Sequence, residues 1–328
     1  MSERRITRRQ VLAGASGLAL AAPLAVWGRR LPAGPVAAKV WIGRAESYQA
    51  DLERLIRRGL AEFPELAIRG KRVLLKPNMV EHIAELPINT ATEVVVGAAQ
   101  AFLAEGAAEV TVAEGPGHRR DLDEIFTVIG LRGALRERRI RFVDLNHDDW
   151  TRVKNAGGRT GLESFCLPDT LLGADLVVSM PKLKTHHWAG VTLSMKNLFG
   201  VLPGAVYGWP KNILHWRGIE ASIFDLTGTV CPHFAIVDGI VGMEGNGPIQ
   251  GEAVAAGAIV MGAHVRSVDA TCARVMSLVP ERVRHLAEAQ ERFGPIEAER
   301  ILQVGESVAA VRRPFRVLPG FSSLVDEG

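Results

Sequence analysis

Forty-four consecutive residues, Leu176 to Ile219, contain no aspartate or glutamate. With 36 acids in 328 residues, about five would be expected in a stretch of that length. The same stretch carries Lys182, Lys184, His186, His187, Lys196, Lys211, His215 and Arg217. Cations without neighbouring carboxylates repel one another and are costly to bury, so they either face water or are completed by an anion. Gly, Ser, Thr, Asn, Trp and Phe lie between them, rather than the Glu and Gln of a solvated helix. That composition favours a site over a plain basic face.

Other absences narrow the chemistry. The three cysteines, Cys166, Cys231 and Cys272, include no Cys-x-x-Cys and cannot supply four thiolates, which argues against a cysteine-ligated iron–sulfur cluster. Gly115-Pro116-Gly117 is not followed by Gly-Lys-Ser/Thr, so it is not a phosphate-binding Walker loop. No Gly-x-Ser-x-Gly nucleophile elbow occurs. The net charge is only +3, so the basic character is local and does not point to nucleic acid.

At the N-terminus, Thr7-Arg8-Arg9-Gln10-Val11-Leu12 precedes a weakly apolar run from Val11 to Trp27, with Ala19-Leu20-Ala21 as a candidate cleavage site. The paired arginines resemble a twin-arginine signal, which implies export of an already folded protein by the twin-arginine translocation machinery. The destination would be the periplasm, or the membrane if an uncleaved signal serves as an anchor. Residues 1–38 are therefore set apart as signal and linker, 39–310 as an α/β domain with room for two lobes, and 311–328 as a peripheral C-terminal tail.

Between these limits, apolar runs alternate with helical patterns. Arg72–Lys76, Glu109–Ala113, Ile140–Leu145 and Asp175–Met180 read as strands. Ala45–Glu62, Thr90–Glu105 and Leu122–Arg138 read as helices, the second capped by Thr90 or Thr92 and the third broken near Gly130. Farther on, Phe234–Val237 and Ala258–Met261 read as strands, Val268–Leu278 as a helix, and the glycine-rich Asp238–Pro248 as a tight loop. This rhythm predicts an α/β fold, a parallel or mixed sheet flanked by helices. Polar residues follow the strands: Lys76-Pro77-Asn78, Glu114 to His118, Asn146 to Asp149, and Pro181 to Lys184. In open α/β sheets the ligand crevice lies outside the carboxyl ends of the strands, so Lys76, Lys182, Lys196 and His215 are expected to converge.

Four blocks resemble the domain of unknown function 362 family: Leu75-Lys76-Pro77-Asn78, Met180 to His186, Thr192 to Gly200, and Asp238 to Pro248. They occur in the family's order and span about residues 70 to 280. The resemblance implies relatives that are often fused to ferredoxin modules, whose cysteines this chain lacks. A later Asp-x-x-x-x-Asp pattern of the family stands here as His264 to Asp269, with histidine at the first acid. His186 through Lys196 is also similar to a stretch of the nickel-pincer lactate racemase family. That similarity implies a histidine and a lysine serving a tethered nickel cofactor that transfers hydride.

The candidate site follows from these readings. Lys196, His186 and His215 are the candidate catalytic groups: a lysine becomes a base when burial or neighbouring cations lower its pKa, and histidine is a ligand or an acid–base group. Lys76, Lys182, Lys184 and His187 are candidate anion ligands, with Asn78 and Asn197 offering amides to orient a substrate. Glu114, Asp238 and Glu244 could hold a divalent cation, although for Glu114 and Asp238 pairing with lysines is the favoured reading. The function expected is that of an enzyme acting on a carboxylate- or phosphate-bearing small molecule, with a metal or an organic cofactor as an open option. The alternative is a non-catalytic binding or maturation protein that holds an anionic ligand or cofactor for a partner redox system.

Overall fold

The apolar runs become strands of one sheet. The computed structural model describes residues 38–117 and 122–327. The Arg8-Arg9 motif, the apolar run behind it and His118 lie outside the described residues. Among the described residues, the strands are β1 (Ala38–Arg44), β2 (Arg72–Pro77), β3 (Glu109–Glu114), β4 (Arg141–Asp144), β5 (Trp150–Lys154), β6 (Ser164–Pro168), β7 (Leu176–Met180), β8 (Lys182–His186), β9 (Gly190–Thr192), β10 (Phe234–Asn246), β11 (Gln250–Gly262) and β12 (Ile301–Gly305). The main sheet runs β12-β1-β11-β10-β7-β2-β3-β4, with β8 paired to β10 and β9 paired to β8. β10, β7, β2, β3 and β4 are mutually parallel neighbours, whereas β11 is antiparallel to both β1 and β10. The sheet is thus mixed, and β5 and β6 form a separate antiparallel pair.

Alternation along the strands divides the core into two layers. Leu74 and Val177 join Val40 and Ile42 on one face, under the helices Ile219–Val230 and Val265–Val275. Val73, Leu75, Leu176, Val178 and Trp41 join the other, under the helices Leu52–Leu60 and Thr92–Ala104. The helix Leu52–Leu60 starts where Asp51 accepts the Arg54 N–H at 3.0 Å, and it buries Leu52, Ile56, Gly59 and Leu60. Both layers flank the same sheet, and the described residues cluster as one unit rather than two lobes.

Three local expectations need correcting. Neither Thr90 nor Thr92 caps its helix: Thr90 Oγ1 donates to the Met180 carbonyl and accepts the Asn78 N–H, and Thr92 Oγ1 donates to Ile129. The N-cap is Ala91, whose N–H is accepted at 2.9 Å by Asp238, a carboxylate 147 positions away. The glycine-rich Asp238–Pro248 is not a tight loop, because its residues through Asn246 continue β10, which pairs with β11 out to Gln250. The glycines serve close packing instead. A side chain at Gly242 would run into the Leu183 carbonyl of β8 and the ring of Phe315.

The third correction concerns residues 311–328. Val311, Phe315 and Leu324 are buried, and Arg313 and Phe315 donate their N–H groups to the carbonyls of Val275 and Met276. The tail thereby satisfies the last carbonyls of the helix Val265–Val275, groups every helix end leaves unpaired. It is anchored in the core at these three residues, although most of its other described residues are exposed. Among the described residues no helix is long and apolar enough to cross a membrane.

Candidate functional site

Lys76 is the penultimate residue of β2 and Glu114 the last of the adjacent parallel strand β3, so the sheet brings both to the same edge. Lys76 Nζ donates to Glu114 Oε2 at 2.6 Å, to Asn197 Oδ1 at 3.1 Å and to the Pro77 carbonyl at 3.0 Å. Glu114 also accepts the N–H groups of Gly115 and Met79. Burial pushes the Lys76 pKa down, and Glu114 acts against that shift. Gly200 lies directly over the pair, where a Cβ would strike both Glu114 and the Lys76 ammonium. Only glycine leaves the ion pair room.

This pair forms part of the floor of a cavity of about 290 Å³. Lys184, Lys196 and Lys211 line it as well, and Glu114 is the single acid among its described lining residues. Lys184, on β8, donates to the carbonyls of Ile88 and Pro248 and is fully buried. Its pKa is pushed well down by burial and then by Lys182 and Lys196. Lys211 reaches the carbonyls of Gly115 and Phe199, and burial pulls it down to about 7. Lys196 makes no ion pair among the described residues, and its Nζ sits 3.8 Å from the centre of the Phe199 ring. Burial, then the Lys76 charge, lowers its pKa to about 7.

His186 closes β8 at a tight turn into β9, and the turn fixes its tautomer. The N–H groups of Trp188 and Ala189 both donate to His186 Nδ1, at 3.0 and 3.2 Å. A ring nitrogen that accepts carries no proton, so neutral His186 carries its proton on Nε2. Burial first, then Lys196, pushes its pKa far down, which keeps the ring neutral. His187 and His215 line the same cavity, and His215 falls to about 4 through burial and the Lys196 charge. Asn78 Oδ1 and Thr192 Oγ1, on two further lining residues, have no hydrogen-bond partner. Such orphans are costly unless an occupant meets them.

The structure therefore brings together Lys76, Asn78, Glu114, Lys184, His186, His187, Lys196, Asn197 and His215. It does not bring in Lys182, which pairs with Asp238 at 2.7 Å and donates to Tyr48 away from the cavity. Nor are the three acids a metal centre. Glu114 pairs with Lys76, Asp238 with Lys182 and Glu244 with Arg316, each in a separate place. Among the described residues, no three His, Cys, Asp or Glu side chains group closely enough to hold a metal ion. Asn197 is a latch rather than a free amide, since Nδ2 donates to the Lys76 carbonyl and Ser179 while Oδ1 accepts from Lys76. Nor does His186 fit a nickel ligand, because its outer nitrogen bears a proton in the tautomer the turn selects.

Lys211, Trp188 and Phe199 were not among the candidates, although Lys211 was counted in the acid-free stretch. Its proximity to Glu114 and Lys76 depends on a chain path no local pattern encodes. Asp269 was also missed as a support. It is fully buried, accepts the Ser194 and Met195 N–H groups at 2.8 and 2.9 Å, and holds the short helix Ser194–Asn197 that carries Lys196. Burial raises its pKa to about 7.

Fold and cavity together define an α/β protein with a lysine-floored pocket at the carboxyl ends of its parallel strands. The chain belongs to the family described as domain of unknown function (DUF362), which it matches over residues 73–274. It is 31% identical over 248 residues to a thylakoid-associated protein of Synechocystis sp., a match covering 70% of this chain and 71% of that one. Among solved structures, the lactate racemase apoprotein from Thermoanaerobacterium thermosaccharolyticum aligns with 12% identity and a TM-score of 0.41, over 74% of this chain and 58% of that one. A protein from Thermotoga maritima aligns with 15% identity and a TM-score of 0.34, over 67% and 58%. The chain thus spans less than two thirds of either solved neighbour, and likenesses at these scores say nothing about chemistry.

Proposed function

We propose that the cavity binds a small molecule bearing a carboxylate or phosphate, and that Lys196 moves a proton to or from it. The observation that carries this reading is Lys196 itself. It faces the cavity without a carboxylate partner, and its pKa of about 7 makes amine and ammonium comparably populated at neutral pH. A group so poised can give or take a proton, which is the condition for efficient general acid–base catalysis. Lys184 and Lys211, whose pKa values burial also lowers, take up protons and become charged donors as the anion binds. The Nε2–H of His186 supplies a neutral donor for an oxygen on which charge develops.

Lys196→Met keeps the bulk of the side chain and removes both its charge and its basicity. The wild-type protein is expected to exchange the α-proton of a small carboxylic acid with solvent deuterium, followed by NMR across a panel of such acids. The variant is expected to lose about 100-fold or more of that rate. It should also bind sulfate at least about tenfold more weakly, as loss of a charged hydrogen bond implies. Equal exchange and equal sulfate affinity in the two proteins would refute the assignment. Sulfate binding without exchange of any acid would leave a binding protein in place of an enzyme.

We also propose that the chain is exported by the twin-arginine machinery, on the strength of Arg8-Arg9 before a weakly apolar run. Changing both arginines to lysine should strand the folded protein in the cytoplasm when cells are fractionated and probed with an antibody. Undiminished export of the Lys-Lys form would remove the proposal.

A further inference from the structure

The cavity has two chemically different ends. Its floor lysines, Lys76, Lys184 and Lys211, are at most 2% exposed, whereas Trp188 in the same lining is 58% exposed. Between floor and mouth runs a chain of rings. Phe199 and His215 have centroids 5.8 Å apart, His215 and Trp188 5.2 Å, Trp188 and His187 4.6 Å, and His187 and His186 4.9 Å. Met79, Val80, Pro248 and Ile249 complete the apolar part of the lining.

A floor of lysines with a single acid among the described lining residues calls for an anion, but a small inorganic anion would leave the rings above it in contact with water. A largely exposed tryptophan beside buried lysines is accounted for if a flat, apolar body covers it. The volume sets the size of that body. About 290 Å³ is room for one ring with its acidic group.

We propose that the occupant is an aromatic or heteroaromatic carboxylate or phosphate ester, with its anion on Lys184 and Lys211 and its ring against Trp188 and His215. This rests on the anion-binding reading above and extends it by naming the substrate class. Carboxylate and phosphate share the floor chemistry, so the two head groups are compared directly.

The test titrates the full chain at pH 6.5 with four probes, phenyl phosphate, inorganic phosphate, benzoate and acetate, by isothermal calorimetry. Each aromatic probe is expected to bind about tenfold more tightly than the ringless probe with the same head group. In Trp188→Ala that ratio should fall toward one, and the aromatic probe with the higher affinity identifies the head group. Ratios near one in the wild-type protein would overturn the aromatic class while leaving the anion site standing. If none of the four binds, both the aromatic class and the anion reading fail. A Trp188→Ala ratio as high as that of the wild type would also overturn the proposal, since the ring preference would then lie elsewhere.

Discussion

Glu114→Ala is expected to cost about 3–5 kcal/mol of folding stability, enough to unfold a chain near the lower end of the usual stability range. Glu114 is 1% exposed and, among the described residues, is the single carboxylate lining a cavity that also holds four lysines. Removing it leaves the Lys76 ammonium buried without a counter-charge, 0% exposed. It also strips the acceptor from the Met79 and Gly115 N–H groups. Breaking a buried pair on one side is far more costly than replacing both partners by apolar groups of similar shape. The double variant Lys76→Met with Glu114→Leu should therefore recover much of the loss. Urea unfolding of wild type, single and double variants measures this. A single variant within about 0.5 kcal/mol of wild type would show that the pair carries no such burden.

The same ion pair shows what could and could not be read from the chain. That Lys76 and Glu114 each follow a strand was legible, because β2 and β3 are continuous apolar runs that stop at polar residues. Parallel strands buried on both faces leave that signature, and their carboxyl ends mark the crevice. Lys184, His186 and Lys196 were legible because a stretch without acids stands out against the composition. What stayed hidden depends on distant partners. Lys182 and Lys184 are two residues apart on β8, yet the first meets Asp238 from β10 and the second meets only carbonyls. No property of the local sequence separates them. The glycines of Asp238–Pro248 were misread for a related reason. Glycine marks close approach as often as a turn, and here what approaches is β8 and the C-terminal segment. Asn197 looked like a substrate ligand until its three polar contacts proved to be internal.

Anion affinity is expected to fall steeply above pH 7, by up to about tenfold per pH unit for each of Lys196 and Lys211 and so up to about hundredfold for the two together. Both have pKa values of about 7 in the free protein, lowered chiefly by burial. An anion prefers their protonated forms and raises those values, so above pH 7 binding must take up protons. Lys184 enters this balance with a pKa pushed in the same direction. The linkage has a counterpart in folding. With folded values near 7 and unfolded values near 10.4, the unfolded chain carries more protons across that interval. Stability in anion-free buffer should therefore rise with pH from about 7 to about 10, by at most about 1.4 kcal/mol per unit for each lysine. Saturating sulfate should flatten the rise, because the bound anion keeps both lysines protonated in the folded state. Sulfate stays a dianion throughout this range, so calorimetric titrations in two buffers of different ionisation enthalpy count the protons directly. Lys196 and Lys211 should account for up to two near pH 8 in the wild type, with Lys184 able to add one more, and the count should fall by up to one in Lys196→Met. Affinity that is level from pH 6 to pH 9, with no proton uptake, would mean that the lysine floor is not where the anion binds.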